Sequence, residues 1–246
     1  MMPLSLPQPL DLQDRVILIT GAGDGIGKAV AQCCGQAGAT VILLGRTTRK
    51  LEQVYDTLLE RGSPEPAIYP LDMQGAGADD YQDLHKVIDK TFGKLDGLFN
   101  NAGWLGASMP MEQYDIELWY KVMQVNLNAP FMLTRACIPL LKKSPQARIV
   151  FTADDKQSAF WGAYGVAKSA QLSMMKILAD ELESGNIRVN AFEPPALRTN
   201  FRTRAYPAEN PSQLPAPDSV APYFCALLSA RLDINGQTLK PGDFSD

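Results

Sequence analysis

Tyr164 and Lys168 are the residues of this sequence best suited to acid–base chemistry. They lie four residues apart, so on a helix their side chains share one face. A free tyrosine, with a pKa near ~10, is a poor acid or base at neutral pH. A neighbouring ammonium favours the phenolate, so we expect Lys168 to lower the pKa of Tyr164 towards the useful range.

A glycine-rich loop near the N-terminus is typical of a nucleotide site. It reads TGAGDGIG over residues 20–27 and joins a strand-like apolar run to a helix-like segment. Glycines there permit a tight turn and let backbone N–H groups approach a pyrophosphate at the start of the helix. The loop predicts dinucleotide binding through Gly21, Asp24, Gly25, Ile26 and Gly27.

Three motifs in this order resemble the short-chain dehydrogenase/reductase family. They are TGxxxGxG from Thr20, the sequence NNAG over residues 100–103, and YxxxK from Tyr164. The resemblance extends from about Leu12 to Gly242. It implies one NAD(P)-binding Rossmann-like domain over 1–246, with a seven-stranded sheet, that oxidises an alcohol or reduces a carbonyl of a small molecule. In the family the matching tyrosine exchanges a proton with the substrate oxygen, and the matching lysine also holds the nicotinamide ribose.

The resemblance assigns further residues to the cofactor. Asp72 resembles an acid that contacts the adenine, and a turn along the adenosine ribose is matched by Asn101, Ala102 and Gly103. The segment that opens with Pro194 resembles the start of a mobile substrate lid, in which a threonine matching Thr199 contacts the carboxamide. Relatives usually have Pro-Gly at this opening, whereas Pro195 here stiffens the turn by fixing φ.

Asn126 matches a catalytic position of the family that holds a water of the proton relay through its main-chain carbonyl. The residues add a physical argument. In an α-helix this carbonyl would accept from the N–H of residue 130, but Pro130 has no N–H. We therefore expect the Asn126 carbonyl to be free.

The end of the second predicted strand indicates which nicotinamide cofactor binds. A carboxylate there would bind the ribose 2′-OH of NAD, whereas an arginine can hold the 2′-phosphate of NADP. This chain has Gly45-Arg46, which favours NADP over NAD. Asp24 is a signal in the other direction, because NADP-preferring relatives often carry a basic residue in the glycine loop.

The position of the family's substrate-binding serine is the main departure from its pattern. Counting 13 residues back from Tyr164 reaches Phe151, and aligning on the VFT run instead places Asp154 there. An ionised Asp only accepts hydrogen bonds, whereas protonated Asp154, Ser158 or Thr152 could donate one to the substrate oxygen. The missing serine leaves an alternative function open, namely a nucleotide-binding regulatory or scaffold protein with little turnover.

Apolar runs and amphipathic stretches alternate along the chain and predict an α/β fold. Continuous apolar character without alternation is typical of strands buried on both faces of a parallel sheet, so we predict a doubly wound sheet with helices on both faces. The predicted strands are Arg15–Thr20, Thr40–Gly45, Ala67–Leu71, Leu95–Asn100, Ala147–Thr152, Ile187–Glu193 and Asp233–Thr238. The predicted helices are Gly25–Gly38, Arg49–Arg61, Asp79–Phe92, Met111–Lys143, Trp161–Ser184 and Val220–Ser229.

Residues 194–222 are rich in proline and lack apolar periodicity, which predicts a substrate lid or binding loop without regular structure. Three arginines, Arg198, Arg202 and Arg204, give this segment positive charge. They are typical of a solvated loop, and an acidic substrate or the cofactor phosphates are the alternative.

The composition of the chain excludes some classes of binding partner. A net charge of −4 argues against nucleic-acid binding, and apolar runs shorter than about 18 residues argue against a membrane span. One histidine and four cysteines without a CxxC spacing predict neither a metal site nor a disulfide framework, and we expect a cytoplasmic protein. The predicted helix over 161–184 is apolar on more than one face, as in relatives that form intersubunit bundles, so we expect a homodimer or homotetramer.

Overall fold

The computed structural model describes residues 4–6 and 8–245. Seven parallel strands form one sheet in the order β4-β3-β2-β5-β6-β7-β8. A separate two-stranded sheet, which the sequence analysis missed, pairs β1 with β9 in parallel. The strands are β1 (Leu4–Ser5), β2 (Val16–Thr20), β3 (Thr40–Gly45), β4 (Ala67–Pro70), β5 (Gly97–Asn100), β6 (Ala147–Thr152), β7 (Ile187–Phe192), β8 (Thr238–Leu239) and β9 (Phe244–Ser245).

Helices cover both faces of the seven-stranded sheet, which confirms the predicted doubly wound α/β fold. One face packs against α1, α2 and α8, and the other against α3, α5 and α6. The helices are α1 (Gly25–Gln36), α2 (Thr48–Glu60), α3 (Ala78–Phe92), α4 (Ile116–Met123), α5 (Ala129–Leu141), α6 (Gly162–Glu181), α7 (Asn200–Ala205) and α8 (Ala221–Leu228). The strand order reverses between β2 and β5, and ligands bind at such a switch point, outside the carboxyl ends of the strands.

The single helix predicted over Met111–Lys143 is wrong. A 3₁₀ turn over Met111–Gln113 is followed by an extended Tyr114, after which Asp115 caps α4 by accepting from Leu118 N at 2.7 Å. Between α4 and α5 the chain makes a π-helical turn over Gln124–Asn128. The missing N–H of the proline at position 130 gives a physical reason for this turn, because the regular i to i+4 pattern cannot continue through it.

The predicted strand over Asp233–Thr238 is also misplaced, because pairing with β7 occurs only at Thr238–Leu239. A turn occupies the preceding residues, in which Gly236 has a φ of +69°. The side chain of Asn235 accepts from Val189 N at 2.9 Å, and Gly236 N donates to the Val189 carbonyl at 2.9 Å. These two bonds pair the N–H and the carbonyl of Val189 in β7, which we expected a neighbouring strand to pair.

The segment over 194–222, predicted as a lid and called the lid below, contains more regular structure than its prolines indicate. It includes α7, whose first turn is capped by Thr199 accepting from Arg202 N at 3.1 Å. Two 3₁₀ turns follow, over Pro211–Gln213 and Pro217–Ser219. In the part of the chain that the structure describes, no helix combines the length and apolar character needed to cross a membrane.

Candidate active site

A cavity of about 990 Å³ opens at the carboxyl ends of the central strands and extends from Arg46 to the lid. It brings together nearly all the residues predicted to bind the cofactor or act in catalysis. Gly27 and Asn126 lie outside its lining. The predicted residues that line it are Gly21, Asp24, Gly25, Ile26, Arg46, Asp72, Asn101, Ala102, Gly103, Asp154, Tyr164, Lys168, Pro194 and Thr199.

The glycine loop forms a close-fitting cradle at the start of α1. Gly21 has a φ of +66°, a conformation that side chains disfavour. A Cβ on Gly27 would lie 2.3 Å from the Gly21 carbonyl oxygen, so only glycine allows this approach. The loop thus exposes backbone beside a helix N-terminus, the arrangement that suits a pyrophosphate.

Asp24 connects this cradle to two other segments. Its carboxylate accepts from Gly25 N at 2.8 Å, from Lys50 at 2.6 Å and from the lid residue Asn200 at 2.9 Å. Partial burial alone would raise the pKa of Asp24, but these hydrogen bonds outweigh it and lower the pKa. Asp24 therefore stays ionised and holds the lid against the glycine loop.

The turn over residues 101–103 is fixed by the hydroxyl of Thr20. That oxygen accepts from Asn101 N at 2.9 Å and Ala102 N at 3.0 Å, and its hydrogen is donated to the Phe99 carbonyl at 3.1 Å. The Asn101 side chain accepts in turn from the hydroxyl of Thr152 at 3.2 Å. A buried threonine at the end of β2 thereby sets the shape of the wall beside the glycine loop.

Tyr164 donates its hydroxyl hydrogen to Asp154 Oδ2 at 2.8 Å, and Lys156 pairs with the other carboxylate oxygen at 3.0 Å. Tyr164 is 3% exposed, whereas the Asp154 side chain is 25% exposed. Burial raises the pKa of Tyr164 well above its ordinary value, and the Asp154 carboxylate raises it further. The expectation that Lys168 would lower the pKa of Tyr164 is therefore wrong, because burial and the Asp154 carboxylate raise it.

Lys168 is buried and bonds away from the tyrosine. Its ammonium donates to the Thr152 carbonyl at 2.8 Å and to Gln171 Oε1 at 3.1 Å. Burial lowers the pKa of Lys168 to about 8, although the charge of Asp154 opposes the effect. Lys168 therefore remains largely protonated at neutral pH.

Gln171 is a site residue that the sequence analysis missed. Its Nε2 donates to the Asn126 carbonyl at 3.1 Å, so one amide bridges this carbonyl to the Lys168 ammonium. The prediction that the Asn126 carbonyl would be free is therefore wrong, although its lack of an α-helical partner was correctly anticipated. The signal available was the spacing, because residue 171 is one helical turn beyond Lys168 and shares its face.

Among the three alternatives for the missing serine, the structure places Asp154 against Tyr164. Ser158 is exposed and does not line the cavity. Thr152 lines the cavity, but its hydroxyl is donated to Asn101.

The lid contributes Pro194 and Thr199 to the cavity lining. It lies close to the glycine loop, because a Cβ on Gly25 would lie 3.5 Å from the Thr199 methyl group.

A doubly wound parallel sheet with a glycine cradle at its switch point defines a dinucleotide-binding α/β protein. The family model for short chain dehydrogenase matches residues 15–210. The chain therefore belongs to the short chain dehydrogenase family, a family of oxidoreductases, which confirms the resemblance seen in its motifs.

Individual relatives match over nearly the whole chain. It is 42% identical over 220 residues to YciK of Escherichia coli K12, an uncharacterized oxidoreductase, covering 88% of this chain and 87% of YciK. A candidate short chain dehydrogenase from Pseudomonas syringae has a TM-score of 0.93 and 44% identity, covering 98% of this chain and 99% of that one. Another, from Shigella flexneri 2a and crystallised with NADP, has a TM-score of 0.90 and 40% identity, covering 95% of this chain and 99% of that one.

Proposed function

We propose that this protein is an NADP-dependent oxidoreductase that reduces the carbonyl of a small molecule with NADPH, or oxidises the corresponding alcohol. The observation that carries the proposal is the contact of 2.8 Å between Tyr164 and Asp154 in the lining of the same cavity as the glycine cradle. It supports proton exchange by Tyr164 in a cavity that would hold both cofactor and substrate. The whole chain is proposed to act as one NAD(P)-binding unit covered by its lid.

The cradle supports a dinucleotide because the close approach of residues 21 and 27 leaves backbone, rather than side chains, facing the cavity. Arg46, exposed at the end of β3, supports NADP over NAD since it offers a cation to a 2′-phosphate. The relative from Shigella flexneri is crystallised with NADP, which supports the same choice. We propose that the remaining predicted lining residues, including Asp72, Asn101, Pro194 and Thr199, contact the cofactor.

When bound, the cofactor supplies the hydride. In the reductive direction, Tyr164 turns its hydroxyl hydrogen from the Asp154 carboxylate to the substrate oxygen and donates that proton. Lys168, which donates to the Thr152 carbonyl at 2.8 Å, keeps a positive charge in the lining of the same cavity and would hold the cofactor ribose. Asn126 holds Lys168 in place through the amide of Gln171.

The alternative is a nucleotide-binding regulatory or scaffold protein with little turnover. The absence of the usual serine, and a Tyr164 hydroxyl already bonded to a carboxylate, favour it. The oxidoreductase is supported better, because the buried Tyr164 and Lys168 keep the residue types that proton transfer needs.

A panel of carbonyl compounds and alcohols with NADPH/NADP and NADH/NAD, followed by nicotinamide absorbance, tests the proposal. Turnover should occur with NADPH, and Tyr164→Phe should abolish it while NADPH affinity persists, because only the proton donor is lost. Tyr120→Phe, an exposed tyrosine on α4, is the matched control. Absence of turnover across the panel would favour the scaffold alternative, and an active Tyr164→Phe variant would show that another group is the acid.

We also propose a cytoplasmic homodimer or homotetramer. Large apolar side chains are 41–67% exposed on α4, α5 and α6, and such a surface normally has a partner. They are Ile116, Tyr120, Phe131, Val166 and Ile177. Light scattering at micromolar concentration should report an oligomer, and a monomer would contradict the proposal.

A further inference from the structure

Four aromatic side chains, here called the aromatic wall, line the same end of the cavity as Tyr164: Trp104, Trp161, Phe201 and Tyr206. Ring centroids are 5.2 Å apart for Tyr164 and Phe201, 5.9 Å for Tyr164 and Trp161, and 5.8 Å for Trp161 and Tyr206. Rings therefore continue without a break from the proposed proton donor to the lid. The ring planes are tilted by 42 to 55° to one another, and rings tilted in this way favour contact with another aromatic ring.

The lid part of the wall is held in position by its own contacts. The guanidinium of Arg202 lies 3.6 Å from the centroid of the Tyr206 ring. Its Nε and Nη2 donate to both carboxylate oxygens of Glu209, at 2.7 and 2.8 Å. These contacts fix the position of the Tyr206 ring and of α7, on which Phe201 lies.

The charges beside the wall favour a neutral ligand. Lys156 is paired with Asp154 at 3.0 Å, and Arg202 is paired with Glu209. A carboxylate on a ligand would have to compete with one of these acids for its cation. Arg204 also lines the cavity, but it is exposed to solvent, where a charge pair contributes little.

We infer that the substrate is a neutral aryl aldehyde or aryl ketone, with its ring against the aromatic wall and its oxygen directed to the Tyr164 hydroxyl. This inference rests on the proposed oxidoreductase function. The carbonyl carbon gains a hydride supplied by NADPH, and the oxygen gains the proton of Tyr164. The products are an aryl alcohol and NADP⁺, and Tyr164 regains its proton from solvent.

Calorimetry on the full chain saturated with NADPH, which cannot oxidise an alcohol, tests the inference with three alcohols that differ by one group each. Relative to 1-phenylethanol, 1-cyclohexylethanol has a saturated ring, and mandelate has a carboxylate in place of the methyl group. We expect 1-phenylethanol to bind about tenfold more tightly than either, because the wall recognises the ring and the paired charges disfavour the anion. Equal affinity for the phenyl and cyclohexyl alcohols, or tighter binding of mandelate, would overturn the inference.

Phe201→Leu and Tyr206→Leu keep apolar volume but remove a ring, so each should reduce the phenyl-to-cyclohexyl affinity ratio about threefold or more. Phe131→Leu, a half-exposed ring on α5 that lies outside the cavity lining, should leave the ratio unchanged. An unchanged ratio in both wall variants would contradict the inference, and the wild-type comparison decides it if a variant does not fold.

The two proposals fail in different ways. Reduction of aliphatic carbonyls in preference to acetophenone or benzaldehyde would overturn the aryl inference and leave the oxidoreductase standing. Ring-selective binding without NADPH oxidation by any carbonyl would refute the oxidoreductase and support the aryl-selective site.

Discussion

Asp154→Ser tests the least ordinary residue of the site. Serine can donate to the substrate oxygen at any pH, whereas aspartate donates only while protonated. Replacement by serine should therefore preserve or raise kcat/KM, and Asp154→Ala, which can neither donate nor orient Tyr164, should lower it. Asp155→Ser is the matched control, because the neighbouring carboxylate is exposed and does not line the cavity.

The contacts of Asp154 set the size of these effects. Its hydrogen bond from Tyr164 is 2.8 Å long and has a carboxylate acceptor, the kind that contributes about 1.5–3 kcal/mol. Because the side chain is 25% exposed, the lower value applies, and Asp154→Ala should reduce kcat/KM about tenfold. A donor aimed at a developing oxyanion contributes about 100-fold or more, so the serine variant should exceed the alanine variant by about that factor.

The assay is kcat/KM with NADPH, measured between about pH 6 and 9 with a carbonyl that the wild type reduces, and NADPH affinity is followed in parallel. The advantage of Asp154→Ser over Asp154→Ala should persist across this pH range, because a serine hydroxyl donates in the same protonation state throughout. A larger loss in Ser158→Ala than in Asp154→Ala would show that Ser158, not Asp154, takes the place of the family's serine. Equal effects of the serine substitutions at positions 154 and 155 would refute the reasoning.

Three further predictions concern other parts of the site. Arg46→Ala should weaken NADPH binding about tenfold and leave NADH binding unchanged, because one exposed contact to a phosphate is lost. Fluorescence titration of both cofactors measures this effect. An equal loss of NADPH affinity in Arg49→Ala would contradict the prediction. Between about pH 8 and 10.5 the unfolded chain holds a proton that folded Lys168 has lost, so the stability of the wild type relative to Lys168→Met should rise by about 1 kcal/mol per pH unit. Urea denaturation measures it, with the exposed Lys176→Met as control, and a flat difference would refute the assigned pKa. Gln171→Leu should cost about 1–3 kcal/mol of unfolding free energy, because it removes the side-chain donor to the buried Asn126 carbonyl and one of the two hydrogen bonds of the Lys168 ammonium. A change near zero by urea denaturation would show that water replaces the amide.

Local sequence patterns predicted the parallel sheet well. Strands such as β2 and β6 are buried along their whole length, and such strands appear in a sequence as continuous apolar runs. The short strand β8 was misplaced because its position depends on the turn around Gly236 and on bonds to β7. Strands of two residues carry too few side chains for a pattern to emerge.

The candidate site was predictable where its residues are neighbours in the chain and not where they meet through the fold. The lack of an N–H at Pro130 could be read from one residue, but Gln171, which supplies the donor to the Asn126 carbonyl, is 45 positions away. Spacing likewise identified Tyr164 and Lys168 as a pair. Their pKa values depend mainly on burial, which the spacing does not contain.

The hydrogen bond of 2.9 Å between Asn200 and Asp24 has a thermodynamic consequence. One carboxylate belongs both to the proposed cofactor cradle and to the contact that holds α7 closed, so the two equilibria are linked. If lid closure changes the dinucleotide affinity by a given factor, dinucleotide binding changes the equilibrium constant for lid closure by the same factor. A substitution at Asn200, outside the glycine loop, therefore alters cofactor affinity to the extent that it alters the fraction of molecules with the lid closed.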